Sequence, residues 1–347
     1  MTMARVLIVD DSVFMRTIIR DLLSKDPGLE IVGSATDGND ALEKIRDLKP
    51  DLITLDIEMP KKTGIEVLQE IGKKPNRPRI LMLSTLTTEG ADMTRQAIRL
   101  GADDFMPKPK DIPHVREIGD ELISKVKHLL ALPRREPIHH VATKKKAADR
   151  LVLIGSSAGG PQMLDVLLSG FPENLGAAVI VTQHMPVGFT APLADRFDRL
   201  CPLPVKETEN GDVLESGKIY VSKAGFHTIV SGYLAEGCRT GRLVHSSAPP
   251  IHGVRPAVDK TFESAAQVFG KNIISVILSG MGNDAGEGAL AVKKAGGTSI
   301  ICDEKDCLVY GMARSAINHD AVDSVLPLNR IAEQISRSVN RMEGTCV

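Results

Sequence analysis

Short apolar runs alternate with amphipathic segments through the first third of the chain. The apolar runs predict strands, and the helical spacing of apolar residues between them predicts helices, the last of which covers Ile112–Leu132. The predicted strands are Arg5–Val9, Glu30–Ser34, Asp51–Leu55, Arg79–Leu83 and Asp103–Met106. Because strands that alternate with helices at this spacing form parallel sheets, the pattern predicts a doubly wound α/β domain.

From residue 150 onward the pattern changes to a few fully apolar strands with shorter pieces between them. Buried strands are predicted from Leu151 and over Ala177–Thr182 and Asn272–Leu278. The shorter pieces are Gly217–Val221 and His227–Val230, and turn residues flank both. We therefore predict a second α/β domain with a mostly parallel sheet and a short antiparallel addition.

A stretch rich in proline and lysine separates the two patterns. Residues 133–150 read P-R-R-E-P-I-H-H-V-A-T-K-K-K-A-A-D-R and offer no apolar face, which is typical of a mobile basic tether. His139 and His140 are candidate metal ligands, but they lack nearby cysteine or carboxylate partners in the sequence. Lys144–Lys146 fit a solvated spacer better than a contact with anionic lipid or acidic protein. The predicted domains are residues 1–128 and 150–347, joined by a linker over 129–149.

Composition limits the classes of protein that fit. The 347 residues are 42% hydrophobic, so each half can bury a core, and the net charge of −1 argues against a nucleic-acid partner. The five cysteines show no CxxC spacing and are typical of reduced thiols in a cytoplasmic protein. No apolar run approaches the roughly 20 residues of a membrane span, and the N-terminus lacks a signal-peptide layout, so no membrane insertion is expected.

Charged and polar residues follow the predicted strands of the first domain. Asp10 and Asp11 follow the first strand, Asp56 ends the third, Ser84 follows the fourth and Lys108 follows the fifth. Ligands of doubly wound sheets bind beyond the carboxyl ends of the strands. Three carboxylates there suit Mg²⁺, and a carboxylate can accept a phosphoryl group. The alternative is a helix N-cap pair at positions 10 and 11 with an ordinary loop acid at 56.

The motifs V-D-D-S, L-D-I-E-M-P, L-S-T-L-T and K-P, found in this order, resemble the receiver domain of response regulators. The resemblance covers residues 4 to about 128 and implies a flavodoxin-like fold. It also implies that a histidine kinase phosphorylates Asp56. Mg²⁺ would then be held by Asp10, Asp11, Asp56 and the backbone carbonyl of Glu58.

The same resemblance assigns the switch positions of the receiver. Ser84 matches the hydroxyl position, Phe105 the aromatic position, and Lys108 the lysine that neutralises the added charge. Because Phe105 has no hydroxyl, a switch that depends on a tyrosine hydroxyl is not available in this chain.

The stretch Leu151–Pro161 reads L-V-L-I-G-S-S-A-G-G-P and predicts a strand, a tight turn and a helix start. Its G-x-S-x-G pattern is that of a serine projected from a sharp strand-to-helix turn, here Ser157. The helix N-terminus that follows favours developing negative charge. A dinucleotide-binding loop would need bare glycine at position 157. A glycine-rich turn with only a packing role is the other alternative.

Two more polar side chains follow buried strands of the second domain. His184 follows Ala177–Thr182, and Asp284 lies beyond Asn272–Leu278. Ser157, His184 and Asp284 would then share one sheet edge as nucleophile, base and orienting acid. Taken singly, the histidine also fits a half-buried structural role and the aspartate a turn acid.

Further polar residues could line a pocket at this edge. His252, His227 and His245 lie near short strands or loops and are candidate substrate contacts. Arg255 and Asp259 either shape the pocket or form an ordinary surface pair.

The motifs I-G-S-S-A-G-G-P, T-Q-H-M-P-x-G-F-T, R-P-A-V-D and L-S-G-M-G-N-D resemble the catalytic domain of chemotaxis protein-glutamate methylesterases. The resemblance covers about residues 150–340. It implies Ser157 as nucleophile, His184 as base, Asp284 as acid and the backbone N–H of Met281 in an oxyanion hole. The family often has Ala-Ser-Thr where this chain has Ser-Ser-Ala, and the second position after Gly155 favours Ser157 over Ser156.

A receiver followed by a methylesterase implies a phosphorylation-regulated serine esterase. Its substrates would be glutamate γ-methyl esters of chemoreceptors, with deamidation of glutamines by the same chemistry, at the membrane-bound receptor array in the cytoplasm. Mg²⁺ in the receiver would be the one cofactor, with none in the catalytic domain. The alternative is a response regulator with an unrelated serine-hydrolase output. A DNA-binding output and a dinucleotide-dependent oxidoreductase fit the second half less well.

Overall fold

The computed structural model describes residues 3–72, 74, 76–85, 87–108, 115–132, 146–235 and 238–342. The chain divides into two compact units, Met1–Arg135 and Glu136–Val347. Of the predicted tether, residues 133–145 lie outside the described residues, including both candidate histidines, His139 and His140. Across the described ranges, no helix is both long and apolar enough to cross a membrane.

The first unit is a five-stranded parallel sheet with helices between the strands. Its strands are β1 (Ala4–Val9), β2 (Leu29–Ala35), β3 (Leu52–Asp56), β4 (Arg79–Ser84) and β5 (Asp104–Pro107). Its helices are α1 (Val13–Leu23), α2 (Gly38–Leu48), α3 (Gly64–Ile71), α4 (Thr88–Leu100) and α5 (Val115–Ala131). The strand order β2-β1-β3-β4-β5 confirms the predicted flavodoxin-like fold. The predicted start of the last helix, residues 112–114, lies outside the described part.

The strand order places β1 beside β3, where successive connections leave to opposite sides of the sheet. In such sheets, this reversal opens a crevice at the carboxyl ends of the strands. The Ser12 hydroxyl caps α1 by accepting a hydrogen bond from the Met15 N–H, so the chain turns away directly after Asp10 and Asp11. Both acids are therefore at the mouth of the crevice, next to the end of β3.

The second unit contains a larger parallel sheet. Its strands are β6 (Leu151–Ser156), β7 (Ala178–Gln183), β8 (Val205–Glu207), β9 (Ile219–Val221), β12 (Ile273–Ile277), β13 (Thr298–Cys302) and β14 (Ser324–Leu326). Its helices are α6 (Gly160–Ser169), α7 (Thr190–Leu200), α8 (Val258–Phe269), α9 (Gly286–Lys294), α10 (Gly311–Asn318) and α11 (Leu328–Arg341). The order β14-β13-β12-β6-β7-β9-β8 puts the apolar strands β12, β6 and β7 in the centre.

A hairpin of two nine-residue strands, β10 (His227–Ala235) and β11 (Cys238–Ser246), forms a separate antiparallel sheet. It confirms the predicted antiparallel addition. The shorter piece predicted at Gly217–Val221 instead joins the parallel sheet, because β9 pairs in parallel with β7. Its three residues are buried, as expected for a strand inside a sheet that helices cover.

Candidate active site and candidate phosphorylation site

Ser157 lies on the tight turn between β6 and α6. Its N–H donates to the carbonyl of Ser279 at 2.9 Å, which joins this turn to the loop after β12. Gly159 has φ of +75°, a conformation that favours glycine. A Cβ on Gly160 would lie 2.2 Å from Gln183 Oε1, so the turn can approach β7 only with glycine there. The Ser157 side chain is half-buried at this edge.

The neighbouring serine has a different environment. Ser156 is fully buried, and its hydroxyl donates to Gln183 Oε1 at 2.7 Å. It pairs in the sheet with Gln183, so Ser157 and His184 are the next residues of two adjacent parallel strands. Of the two adjacent serines, only Ser157 is partly exposed to solvent.

Gln183 was not among the residues predicted for the site, although it holds two of them. Its Nε2 group donates to the carbonyl of Ser157 and to the carbonyl of His184, both at 2.9 Å. The side chain is 2% exposed and uses both of its polar atoms. Gln183 therefore fixes the two strand ends relative to each other. Its position directly before His184 was the only indication in the sequence. The strand register that brings Gln183 next to Ser156 cannot be deduced from the sequence.

His184 and Asp284 are in direct contact. His184 Nε2 lies 2.7 Å from Asp284 Oδ2. Asp284 is 1% exposed, and its oxygens also accept hydrogen bonds from the N–H groups of Val258, Asp259 and Ala285. The contact between the predicted base and the predicted acid is thus present, and backbone groups at the start of α8 hold the acid in place.

The hydrogen bonds of Asp284 keep it ionised. Burial pushes the pKa of its carboxyl upward, but the hydrogen bonds from His184 and from the backbone of Asp259 outweigh burial, and the net pKa is lowered. Because a carboxylate accepts from every donor around it, this environment favours the charged form. An ionised Asp284 holds the imidazole with its Nε2 protonated and leaves Nδ1 as the basic atom.

The hydroxyl of Ser157 makes no hydrogen bond within the described ranges. The Nδ1 atom of His184 also has no partner there, and the two residues follow paired strand positions. The hydrogen bond from Ser157 to His184 therefore stays a prediction. Rotation of the serine side chain about one bond changes the position of its hydroxyl.

Met281 lies on the loop after β12, with its side chain 73% exposed. The residue before it, Gly280, is fixed by bonds of its N–H to Val309 and of its carbonyl to Met312. A Cβ on Gly280 would lie 3.0 Å from Ser157 Cβ, so this loop passes next to the serine. The N–H of Met281, the next residue of this loop, has no acceptor among the residues that the structure describes, and its place in an oxyanion hole stays a prediction.

The other candidate histidines have separate contacts. His227 is buried between the carbonyl of Pro249 and the N–H of Ala257. His245 bonds to the Thr208 hydroxyl at 2.9 Å. The third candidate, His252, lies with its Nε2 3.7 Å from Asp259 Oδ2. A contact of any of these histidines with substrate stays a prediction.

The proposed surface pair of Arg255 and Asp259 does not form. Arg255 donates to the carbonyls of Ser247 and Ala248, and Asp259 is buried behind Asp284. Of the two interpretations of these residues, the surface pair was wrong, because the loop after β11 binds Arg255 and the Gly288 N–H in α9 donates to the Asp259 carboxyl.

In the first unit, the three predicted acids form a cluster. Ligand oxygens of Asp10, Asp11 and Asp56 all lie within 4.8 Å of one another. Lys108 Nζ lies 2.6 Å from Asp56 Oδ2 and 2.9 Å from Asp10 Oδ2. The Arg16 guanidinium donates to the backbone carbonyls of Asp10 and Asp11 at 2.7 and 2.9 Å, so it is also close to the cluster. The donor set is oxygen only, which is what Mg²⁺ requires, so these residues fit that ion.

The buried, acidic environment shifts the pKa of Asp56. Burial raises its pKa to about 6, with Asp10 adding to the rise and Lys108 opposing it. The Asp56 Oδ1 atom also accepts a hydrogen bond from the Glu58 N–H at 3.3 Å. Although Asp56 is buried, its carboxylate oxygens can accept more bonds than they do here. Lone pairs therefore remain for a metal ion or for an electrophile.

The two switch positions, Ser84 and Phe105, are buried in β4 and β5. The hydroxyl of Ser84 donates to the carbonyl of Gly90 in the first turn of α4 at 3.0 Å. Phe105 is 3% exposed and pairs with Met82 across β4 and β5. Ser84 thus connects the end of β4 to α4 in this structure.

The fold and the two strand-end clusters define a class of protein: a receiver-type unit joined to a second parallel α/β unit with a serine beside a histidine–aspartate pair. A family model described as CheB methylesterase matches residues 152–335, and one described as response regulator receiver domain matches residues 6–118. The chain belongs to the CheB methylesterase family.

Relatives match along the whole chain. A protein of Methanospirillum hungatei called protein-glutamate methylesterase/protein-glutamine glutaminase 1 is 55% identical over 346 residues, covering 99% of this chain and 100% of that protein. A protein of Pyrococcus abyssi with the same activities in its name is 41% identical, covering 98% of this chain and 95% of its own.

One solved structure matches the second unit. The crystal structure of the Thermotoga maritima CheB methylesterase catalytic domain is 40% identical with a TM-score of 0.52, covering 55% of this chain and 98% of that chain. The recognition made from the sequence motifs is confirmed.

Proposed function

We propose that this protein is a protein-glutamate methylesterase and protein-glutamine glutaminase that acts on chemoreceptors and is activated by phosphorylation of Asp56. The observation that carries this proposal is the hydrogen bond of 2.7 Å between His184 and Asp284 at the sheet edge where Ser157 begins its turn. The reaction is taken from the names of relatives that match this chain over nearly its full length. They favour this function over a response regulator with an unrelated serine-hydrolase output.

The first half of the reaction forms an acyl-enzyme. Ser157 Oγ attacks the γ-carbonyl carbon of the methyl ester while His184 Nδ1 takes the serine proton. Asp284 stabilises the imidazolium that results, and the N–H of Met281 donates to the oxyanion. The C–O bond of the ester then breaks, and methanol leaves with the proton from His184.

The second half releases the product. Water attacks the acyl-serine while His184 again takes a proton, and the Ser157 oxygen leaves as the hydroxyl. The receptor side chain is released as glutamate. A glutamine side chain reacts by the same steps, with ammonia as the leaving group in place of methanol.

Regulation is assigned to the first unit. A histidine kinase transfers a phosphoryl group to Asp56. Mg²⁺ would be held by Asp10, Asp11, Asp56 and the Glu58 carbonyl, and it would offset part of the phosphoryl charge. Lys108 neutralises part of the charge that is added. Ser84 turns from the Gly90 carbonyl toward the phosphoryl oxygens, which changes the attachment of α4.

The test uses receptors whose methyl groups carry a radioactive label, in membrane vesicles incubated with the whole chain. We expect labelled methanol to be released by the wild-type protein. Release should increase when acetyl phosphate and Mg²⁺ are added. A chain that binds these vesicles but releases no methanol under either condition contradicts the proposal.

Substitution of Asp56 tests the phosphorylation step. We expect acetyl phosphate to raise methanol release by roughly tenfold in the wild type, a size typical of coupling between two sites. Asp56→Asn should keep the unstimulated rate and lose the increase, because the amide cannot accept the phosphoryl group. Asp47→Asn, at an exposed carboxylate outside the acid cluster, is the control and should respond like the wild type. A full response in Asp56→Asn would contradict the assignment.

Substitution of Gln183 tests the fixation of the two strand ends. Gln183→Leu removes three hydrogen bonds and is expected to lower kcat/KM about 10²-fold, because Ser157 and His184 lose their common support. The free energy of unfolding should fall by about 1–3 kcal/mol.

Gln162→Leu is the matched control for Gln183→Leu. Gln162 is also buried, but neither of its polar side-chain atoms has a hydrogen-bond partner within the described ranges. We expect this change to leave kcat/KM within a few-fold of the wild type. Equal losses in the two variants would show that Gln183 has no special role.

A further inference from the structure

A second buried carboxyl lies directly behind the histidine–aspartate pair. Asp259 is 2% exposed at the start of α8, and its N–H donates to Asp284 Oδ1 at 2.9 Å. Its Oδ1 atom accepts one hydrogen bond, from the N–H of Gly288 at 2.7 Å. Its Oδ2 atom is buried without a hydrogen-bond partner in the described part of the chain.

The nearest basic side chain does not donate a hydrogen bond to this oxygen. His252 Nε2 lies 3.7 Å from Asp259 Oδ2, beyond hydrogen-bond distance, and the His252 side chain is 42% exposed. A buried carboxylate oxygen without a hydrogen-bond donor is unfavourable when charged. The same oxygen is satisfied more easily as the hydroxyl of a protonated acid.

The other charged groups around Asp259 add to this effect. Asp284 and Glu287 both carry negative charge toward it, one from the loop after β12 and one from α9. On its own helix, Lys260 and Glu263 pair with each other at 3.0 Å. Burial first, and the charge of Asp284 second, raise the pKa of Asp259 to about 7. Asp284 keeps its charge because it has more donors.

We propose that Asp259 is a positioning residue that acts on His184 through Asp284. When Asp259 is protonated, Asp284 carries the single negative charge behind the imidazole. In its ionised form Asp259 adds a second charge, which stabilises the imidazolium formed when Ser157 loses its proton. The inference rests on the proposed function, since it takes His184 to be the base.

Ionisation of Asp259 is expected to raise activity as the pH increases. Below about pH 6 Asp259 is protonated, and the site depends on Asp284 alone. Above about pH 8 Asp259 is ionised, and the developing imidazolium faces two carboxylates. The wild-type enzyme therefore gains activity across neutrality beyond what the titration of the base itself produces.

Asp259→Asn provides the test, because its amide fills the same volume, can accept from Gly288 and cannot ionise. The ratio of wild-type to variant kcat/KM, measured by methanol release from methyl-labelled receptor membranes, should be near one at pH 6. It should rise to about five at pH 8, with a midpoint near 7. A purely structural role would give a ratio that is constant with pH, and a constant ratio overturns the proposal.

A second measurement needs neither activity nor a variant at position 259. Infrared difference spectra of the Asp56→Asn full-length chain are recorded between pH 6 and pH 8. This variant lacks Asp56, the other acid with a raised pKa among the described residues. We expect loss of one protonated carboxyl band, and its absence would overturn the proposal. If no methanol is released at any pH, the proposed function fails while the infrared result still decides the state of Asp259.

Discussion

Replacement of Ser157 by alanine is expected to lower kcat for methyl-ester hydrolysis by about 10⁶-fold, because the members of such a site act as a unit. The change removes only the hydroxyl, which makes no hydrogen bond with the described residues. The free energy of unfolding should therefore stay within about 0.5 kcal/mol of the wild type. Methanol release and urea unfolding, measured on the same preparation, check both statements.

The adjacent serine provides the control for this experiment. Ser156→Ala removes the hydroxyl that donates to Gln183 Oε1 at 2.7 Å inside the sheet. We expect a loss of about 1–3 kcal/mol of stability, because a buried acceptor is left without its donor, but less than a 10²-fold loss of kcat. If Ser156→Ala is the inactive variant and Ser157→Ala remains active, the nucleophile has been assigned to the wrong serine.

Replacement of Asp284 by asparagine has the second largest expected effect, a fall of about 10⁴-fold in kcat. The neutral amide stabilises the imidazolium poorly and can hold the ring in the wrong tautomer. One oxygen of Asp284 bonds both His184 and the Val258 N–H at 2.7 Å, so the start of α8 is also affected. We expect a loss of about 1 kcal/mol in the free energy of unfolding from this lost cap.

Asp259→Asn at pH 6 is the control for Asp284→Asn, because it makes the same chemical change one carboxyl further from the imidazole. It should retain nearly full activity there. Equal losses of kcat at pH 6 would mean that the two acids share the orienting role, which contradicts the assignment of that role to Asp284.

The strand pattern predicted a mostly parallel α/β sheet in each unit, and the resemblance to receiver domains supplied the flavodoxin-like fold of the first. The central strands β6, β7 and β12 were found because each is a continuous apolar run, as fully buried strands are. Four strands were not predicted: the three-residue strands β8 and β14, and the longer strands β11 and β13. The pairing of β8 and β14 depends on neighbours that are distant in the sequence.

The sequence predicted some residues of the candidate site and missed others, and strand position explains the difference. Ser157, His184 and Asp284 follow apolar strands, and strand ends can be read from the sequence. The roles of Gln183 and Asp259 depend on strand register and on the packing of a helix start against a loop, which no local pattern encodes. For this reason the sequence allowed Asp259 to be interpreted as part of an ordinary surface ion pair, although the residue is buried.

The serine turn is attached to its surroundings through its main chain. The N–H of Ser157 bonds to Ser279, and its carbonyl accepts from Gln183, so neither contact depends on the residue's side chain. A chemically inert copy made by Ser157→Ala should therefore keep the contour that a receptor recognises. Such a copy would remain on uncleaved methylated receptor, which makes it a practical bait for isolating the enzyme–receptor complex for imaging.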